Sequence, residues 1–229
     1  RSSRSNLIAP GSIAAFFATP YTLVDIGAPA ISGNFISASN GGFTLAAAGT
    51  GLGSTADQFT FAYQNLTGNF DVQLRLGSLG LSDAWATAGL MARDGLASNA
   101  VFAASLATPG QAGSFFAART TAGGTASQNG SFPVNYPDTW LRLQRVGSAF
   151  NGYASLDGRN WTPLGSASIV ASATLQVGIA LNSHDAAQTT TAFFNNAGNT
   201  VNTALNTAPL PFEPIGPSSR ATGLVISEI

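Results

Sequence analysis

The chain has no cysteine, which excludes disulfides and thiolate metal sites. It does not exclude secretion, because 229 residues can bury a core without cross-links. Lysine is also absent, so all nine basic residues are arginines. Charged residues make up 8% of the chain, against about 25% in an ordinary soluble domain. The surface must therefore be mostly Ser, Thr, Asn, Gln, Gly and Ala. Nine scattered arginines and a net charge of −1 supply no basic patch, which argues against nucleic acid as a partner. The same weak charge leaves association with copies or with neutral polymers unopposed. A single histidine gives a transition-metal centre nothing to build on. The most apolar region, 7–31, is broken by Pro10, Pro20, Asp25 and Pro29, so no membrane span is expected. No signal peptide is visible, and a start at Arg1 rather than Met reads as a mature product or an excised piece.

What is present is alternation. TWLRLQRV (139–146) and AFNGYASL (149–156) flank Gly147-Ser148. A two-residue loop with glycine first suits a type II′ hairpin turn, since glycine takes the required positive φ at no steric cost. That loop pairs Val146 with Ala149, and the register follows by counting. Leu141 and Leu143 then share one face with Phe150, Ala154 and Leu156. Trp140, Arg142 and Gln144 share the other with Asn151, Tyr153 and Ser155. A second turn, Asp157-Gly158-Arg159-Asn160, leads into Trp161, which is expected to plug the core.

The runs QFTFAY (58–63) and FDVQLRL (70–76) alternate as strictly, and Asn65-Leu66-Thr67-Gly68 joins them as a hairpin-length loop. Further strand-like runs cover 86–93, 100–107, 114–120, 175–181 and 189–195, with one helical turn expected at 94–99. Gly, Pro, Asn and Asp separate these runs at intervals typical of sandwiches rather than βαβ units. The glycine-rich GTGLGS (49–54) has no following lysine and no βαβ context, so it is not read as a phosphate cradle. The expected organisation is an N-terminal extension at 1–20, a sandwich at 21–197 and an Asn/Thr/Pro-rich linker at 198–223. Residues 224–229 read as an isolated strand or the start of a following domain.

The segments DIGAPAISG (25–33), TADQFTFAYQNLTGNFDVQLRL (55–76), WATAGLMARDGLASNAV (85–101), WLRLQRVGSAFNGYASLDGRNWTPLG (140–165) and VGIALNSH (177–184) follow one another in a telling order. In that order and spacing the chain resembles a bacterial, non-catalytic module of the concanavalin A-like lectin/glucanase superfamily. The resemblance implies an all-β, two-sheet antiparallel jelly-roll sandwich, secreted or on a cell surface, within a larger protein. The tail GLVISEI (223–229) separately resembles the start of a lamin-tail domain.

Glucanases of that superfamily carry clustered carboxylates, because an acid and a nucleophile must flank one bond. Here the only glutamates are Glu213 and Glu228, and no two aspartates stand two apart, so no enzymatic activity is expected. Ser183-His184-Asp185 holds the residue types of a triad, but neighbours on a strand point to opposite faces. His184 reads instead as a hydrogen-bonding turn residue. No cofactor is expected; a calcium site on Asp25, Asp57 or Asp185 stays open beside the plainer reading that these residues cap turns.

The best binding candidate is the face Trp140, Arg142, Gln144, Asn151 and Tyr153, extended through the family's sheet by Gln73, Arg75, Arg93 and Arg119. Aromatic faces and planar donors match the C–H patches and hydroxyls of a sugar. The competing reading puts Trp140 and Tyr153 under a loop and pairs the arginines with Asp71, Asp83 or Asp94. The function expected is adhesion to a polysaccharide, cell-surface glycan or matrix. The alternative is a filament subunit that oligomerises through strand-like ends at 7–17 and 224–229. A glycoside hydrolase ranks last.

Overall fold

A computed structural model describes residues 21–39, 42–110 and 112–206. Within them the chain is all β. The first strands are β1 (Thr22–Ile26), β2 (Asn34–Ser39), β3 (Gly42–Gly49), β4 (Phe59–Thr67) and β5 (Phe70–Leu79). Next come β6 (Thr87–Arg93), β7 (Phe102–Ala107), β8 (Ser114–Arg119), β9 (Ser127–Phe132) and β10 (Thr139–Val146). The last are β11 (Ala149–Ser155), β12 (Asn160–Ser168), β13 (Thr174–Asn182), β14 (Asp185–Asn199) and β15 (Ala204–Leu205).

Two sheets form, one ordered β1-β4-β13-β6-β7-β8-β9 and the other β15-β12-β11-β10-β5-β14-β3-β2. Pairing is antiparallel apart from the short parallel contact of β15 with β12. The pairs β4/β5 and β13/β14, each consecutive in the chain, lie in opposite sheets. This is the sandwich that the strand pattern predicts, with the two-sheet jelly-roll arrangement that the resemblance implies. The β10–β11 hairpin has the expected register, with Val146 opposite Ala149 and Leu141 opposite Ala154. Gly147 takes φ +62° while Ser148 does not enter the positive region, as a type II′ turn requires.

The core lies between the sheets. Alanines of the first sheet (Ala88, Ala92, Ala103) meet bulky residues of the second (Leu74, Leu141, Phe194) in one buried cluster. Small side chains opposite large ones let two twisted sheets interdigitate at crystal-like density. A second apolar cluster, including Phe59, Phe61, Met91, Phe102, Leu106 and Phe115, occupies the other face of the first sheet. Strands β6, β7 and β8 are therefore buried on both faces along their whole length. Such strands read as continuous apolar runs rather than alternating ones.

Beside that second cluster, Asp57 lies buried between Arg93 and Arg119. Arg93 Nη1 donates to Asp57 Oδ2 at 2.7 Å, and Arg119 Nη2 donates to Asp57 Oδ1 at 2.6 Å. The other guanidinium N–H groups reach loop carbonyls: Arg93 those of Gly95 and Ala97, Arg119 those of Ser54, Ala100 and Gly124. Three loops are thus held down over the aromatic face.

Four expectations are corrected. Residues 65–68 do not join a hairpin, because β4 runs on to Thr67 and β5 lies in the opposite sheet. Arg93 and Arg119 do not join the β10 face, because they belong to the other sheet and are consumed by Asp57. Both oxygens of Asp57, one of the residues considered for calcium, accept from these two guanidiniums. Residues 94–99 form bends, with Ala100 N–H donating to Ala97 O, rather than a helical turn. The expected linker does not begin at 198: β14 runs to Asn199, and the chain then packs against the second sheet and pairs as β15. The segments 1–20 and 207–229, with both expected terminal strands and the lamin-tail resemblance, lie outside the described residues.

Two stability predictions follow from these contacts. Asp57→Asn leaves two buried guanidiniums without a counter-charge, and is expected to cost about 3–5 kcal/mol in chemical denaturation. The second concerns the β11–β12 turn. Burial works to raise the Asp157 pKa, but the backbone N–H groups of Asn160 and Arg159 and the side chains of Asn160 and Ser155 outweigh it and hold the pKa at about 2. A carboxylate with a depressed folded-state pKa stabilises fully above its unfolded value, about 3.9, and loses that contribution as pH falls through its folded value. Denaturation midpoints should therefore fall between about pH 4 and pH 2, and should fall less in Asp157→Ala.

Candidate functional site

The structure brings seven of the nine expected binding residues together, all but Arg93 and Arg119. Trp140 stands beside Arg75 and Ser155, Arg142 beside Gln73 and Tyr153, and Gln144 beside Asp71 and Asn151. They share the outer face of the second sheet, as the alternation predicts. Their polar groups, however, turn to one another. Asp71 accepts from Arg142 Nε at 2.7 Å, from Arg142 Nη2 at 2.6 Å and from Gln144 Nε2 at 2.8 Å. Arg75 pairs with Asp138 at 2.6 Å and donates from Nε to Pro137 O at 2.8 Å.

The aromatic faces are occupied as well. The Arg142 guanidinium lies 4.5 Å from the Tyr153 ring centroid. Gly158 sits so close to Trp140 that a Cβ there would come within 2.9 Å of the ring, which explains glycine, at φ +66°, in that turn. After β14, the segment 200–206 passes from β5 across to β12. Thr200 N–H donates to Asp71 O, Trp161 Nε1 donates to Asn202 O at 2.6 Å, and Asn206 N–H donates to Trp161 O. Trp161 is fully buried as expected, but beneath this segment rather than in the inter-sheet core. Gln73 and Arg142 are buried, with Gln73 Oε1 and Arg142 Nη1 left without a hydrogen-bond partner, while Arg75, Gln144 and Asn151 have partners within the protein.

A cleft of about 380 Å³ opens instead on the first sheet. Leu106 and Phe115, neighbours across β7 and β8, form an apolar floor. One wall is the glycine-rich loop with Leu52. Gly51, at φ +105°, lies where a Cβ would sit 3.3 Å from both Asn182 Oδ1 and His184 Cδ2. Glycine there allows the loop backbone to approach the opposite wall. The rim carries Trp85, half exposed, together with His184 and Gln128.

Hydrogen bonds fix the opposite wall. Asn182 Nδ2 donates to Thr87 Oγ1, and Asn182 Oδ1 accepts from His184 N–H at 3.0 Å. That bond holds His184 in the left-handed region, φ +58°, which a non-glycine residue seldom adopts. His184 Nδ1 meets Asp83 Oδ1 at 2.9 Å, and the same oxygen accepts the Trp85 N–H at 2.7 Å. Ser82 Oγ donates to Ser183 O at 2.8 Å and joins the two loops a second time. His184 is thus a hydrogen-bonding turn residue whose partner is Asp83. Ser183 Oγ is spent on the Asp185 carbonyl, so Ser183, His184 and Asp185 form no triad.

The remaining calcium candidates act as turn acceptors. Asp25 accepts from Gly33 N–H and Thr60 Oγ1, and Asp185 accepts from Ala187 N–H and Gln188 Nε2. No cluster of three or more His, Cys, Asp or Glu side chains forms among the described residues. No helix among them is long and apolar enough to cross a membrane.

A half-exposed tryptophan lining a cleft with an apolar floor, together with an amide and an imidazole, can pack on a pyranose or furanose ring and hydrogen-bond its hydroxyls. The volume falls in the ordinary range for small-ligand clefts, about 300–1,000 Å³. Sequence reasoning missed this site because Leu52, Trp85, Phe115, Gln128 and His184 belong to five separate segments. The one local signal was GTGLGS, a glycine-rich loop with no phosphate-binding context.

No protein-family model matches the chain, and no curated protein matches it in sequence. Solved structures match it in shape. It is similar to a functionally unknown protein from Saccharomyces cerevisiae, with TM-score 0.60 and 16% identity over 84% of this chain and 98% of the other. It is similar to the carbohydrate-binding module CBM66 from Bacillus subtilis, with TM-score 0.51 and 14% identity over 78% of this chain and 94% of that one. Similarity to the GH43 BlXynB protein from Bacillus licheniformis has TM-score 0.51 and 14% identity, over 70% of this chain and 33% of that one. At these identities the likeness establishes the fold, a two-sheet β-sandwich jelly roll.

Proposed function

We propose that this chain is a non-catalytic, glycan-binding β-sandwich module of a secreted or cell-surface protein, and that it holds sugar in the cleft between the 49–54 loop and the Trp85–His184 wall. The observation that carries the reading is the cleft itself: a half-exposed tryptophan over Leu106 and Phe115, with Gln128 and His184 as hydrogen-bonding groups at the rim. The fold shared with a carbohydrate-binding module supports it. Asp83, the carboxylate beside the cleft, already holds His184 and the Trp85 backbone. Bond cleavage by the usual glycosidase route needs two carboxylates flanking one bond, which favours binding over hydrolysis.

Pull-down on insoluble polysaccharides and affinity electrophoresis in soluble ones test this directly. Trp85→Ala should weaken the best ligand at least about tenfold, the cost typical of truncating an anchoring aromatic, without moving the thermal midpoint. Trp140→Ala should leave the affinity unchanged. Retention that depends on Trp140 and not on Trp85 would return the site to the second sheet. Sugar release from any retained polymer would make the chain an enzyme.

A further inference from the structure

We propose that the cleft takes an uncharged saccharide and discriminates against sulfated and uronic-acid glycans. This deepens the glycan-binding reading and rests on it.

The argument is an inventory of cations. With no lysine in the chain, any fixed cation must come from one of nine arginines. Six lie among the described residues, and five of those are consumed by the protein. Arg93 and Arg119 are buried on Asp57. Arg142 is clamped by Asp71, and Arg75 pairs with Asp138. Arg145 donates to the carbonyls of Gly147, Ser172 and Ala173. The sixth, Arg159, is exposed on the β11–β12 turn of the second sheet, away from the cleft.

Among the described residues, the cleft lining contains neither arginine nor lysine. At its rim the Asp83 carboxylate is bonded to His184 Nδ1. A sulfate or carboxylate entering here would shed water over Leu106 and Phe115, find no cation and meet a like charge. Desolvating an anion without a counter-charge is strongly unfavourable. A neutral sugar faces no such cost and still gains the Trp85 ring and the Gln128 amide.

Affinity electrophoresis of the full chain in a neutral β-glucan, a mannan, a galactan and a fructan, each beside its sulfated derivative, tests the inference at low and at physiological salt. At least one neutral polymer should retard the protein, and its sulfated form should bind about tenfold or more weakly, since like-charge juxtaposition in an interface costs several kcal/mol. Gln128→Arg, a change on an exposed edge strand that folding should tolerate, places a cation on the rim. It should recover binding to the sulfated form, and added salt should weaken that gain. Equal or tighter binding of the sulfated polymer by the unaltered chain would overturn the inference while leaving the glycan reading intact. A Gln128→Arg variant that gains nothing would also overturn it. Failure of every neutral and sulfated polymer to bind would remove the glycan reading itself.

Discussion

Asp57, buried between the guanidiniums of Arg93 and Arg119, is the contact on which the first sheet's exposed side depends. Strands β6 to β8 are apolar on both faces, so the side turned away from the sandwich core needs its own cover. Loops supply that cover, and loops bring backbone carbonyls that must find donors once water is excluded. Two arginines provide those donors from fixed positions on β6 and β8. The guanidiniums also lie over aromatic rings, Arg93 at 5.3 Å from Phe59 and Arg119 at 5.0 Å from Phe102. An apolar substitute could match the ion pairs in energy, but it would orphan the carbonyls.

The cleft inherits its shape from this arrangement. Arg119 Nη2 donates to Ser54 O, and Asp57 closes the same loop, so the segment carrying Gly51, Leu52 and Gly53 is tied down at its end. The opposite wall is tied separately through Asp83, Asn182 and His184. Two independently braced walls leave an open space between them with few side chains left to reorganise. A binding site that does not have to order itself on contact keeps more of its interaction energy as affinity.

The second sheet solves a similar problem differently. Its outer face is covered by the chain's own continuation, 200–206, with Trp161 beneath it and the Asp71–Arg142 pair alongside. Five of the six described arginines are thus engaged within the protein. That economy is what turns the cleft toward neutral ligands.

Alternation in 70–76 and 139–156 with the turn at Gly147 was enough to determine the β10–β11 register, the division of Leu141 from Trp140 and the sandwich class, because strand periodicity and turn chemistry are local. The same residues could not say whether their polar face met a ligand or the protein. Asp71 lies in another strand and the covering segment some sixty residues downstream, and only long-range pairing joins them. Strand β9, SQNGSF, escaped the pattern because an exposed polar edge strand has no buried face to impose alternation. The sequence by itself determined most of the strands, their inward faces and the absence of lysine; the pairing that occupies the arginines came only from the tertiary structure. Tertiary structure alone decided which side of the molecule is open, because closure depends on loops distant in the chain meeting over one sheet and not the other.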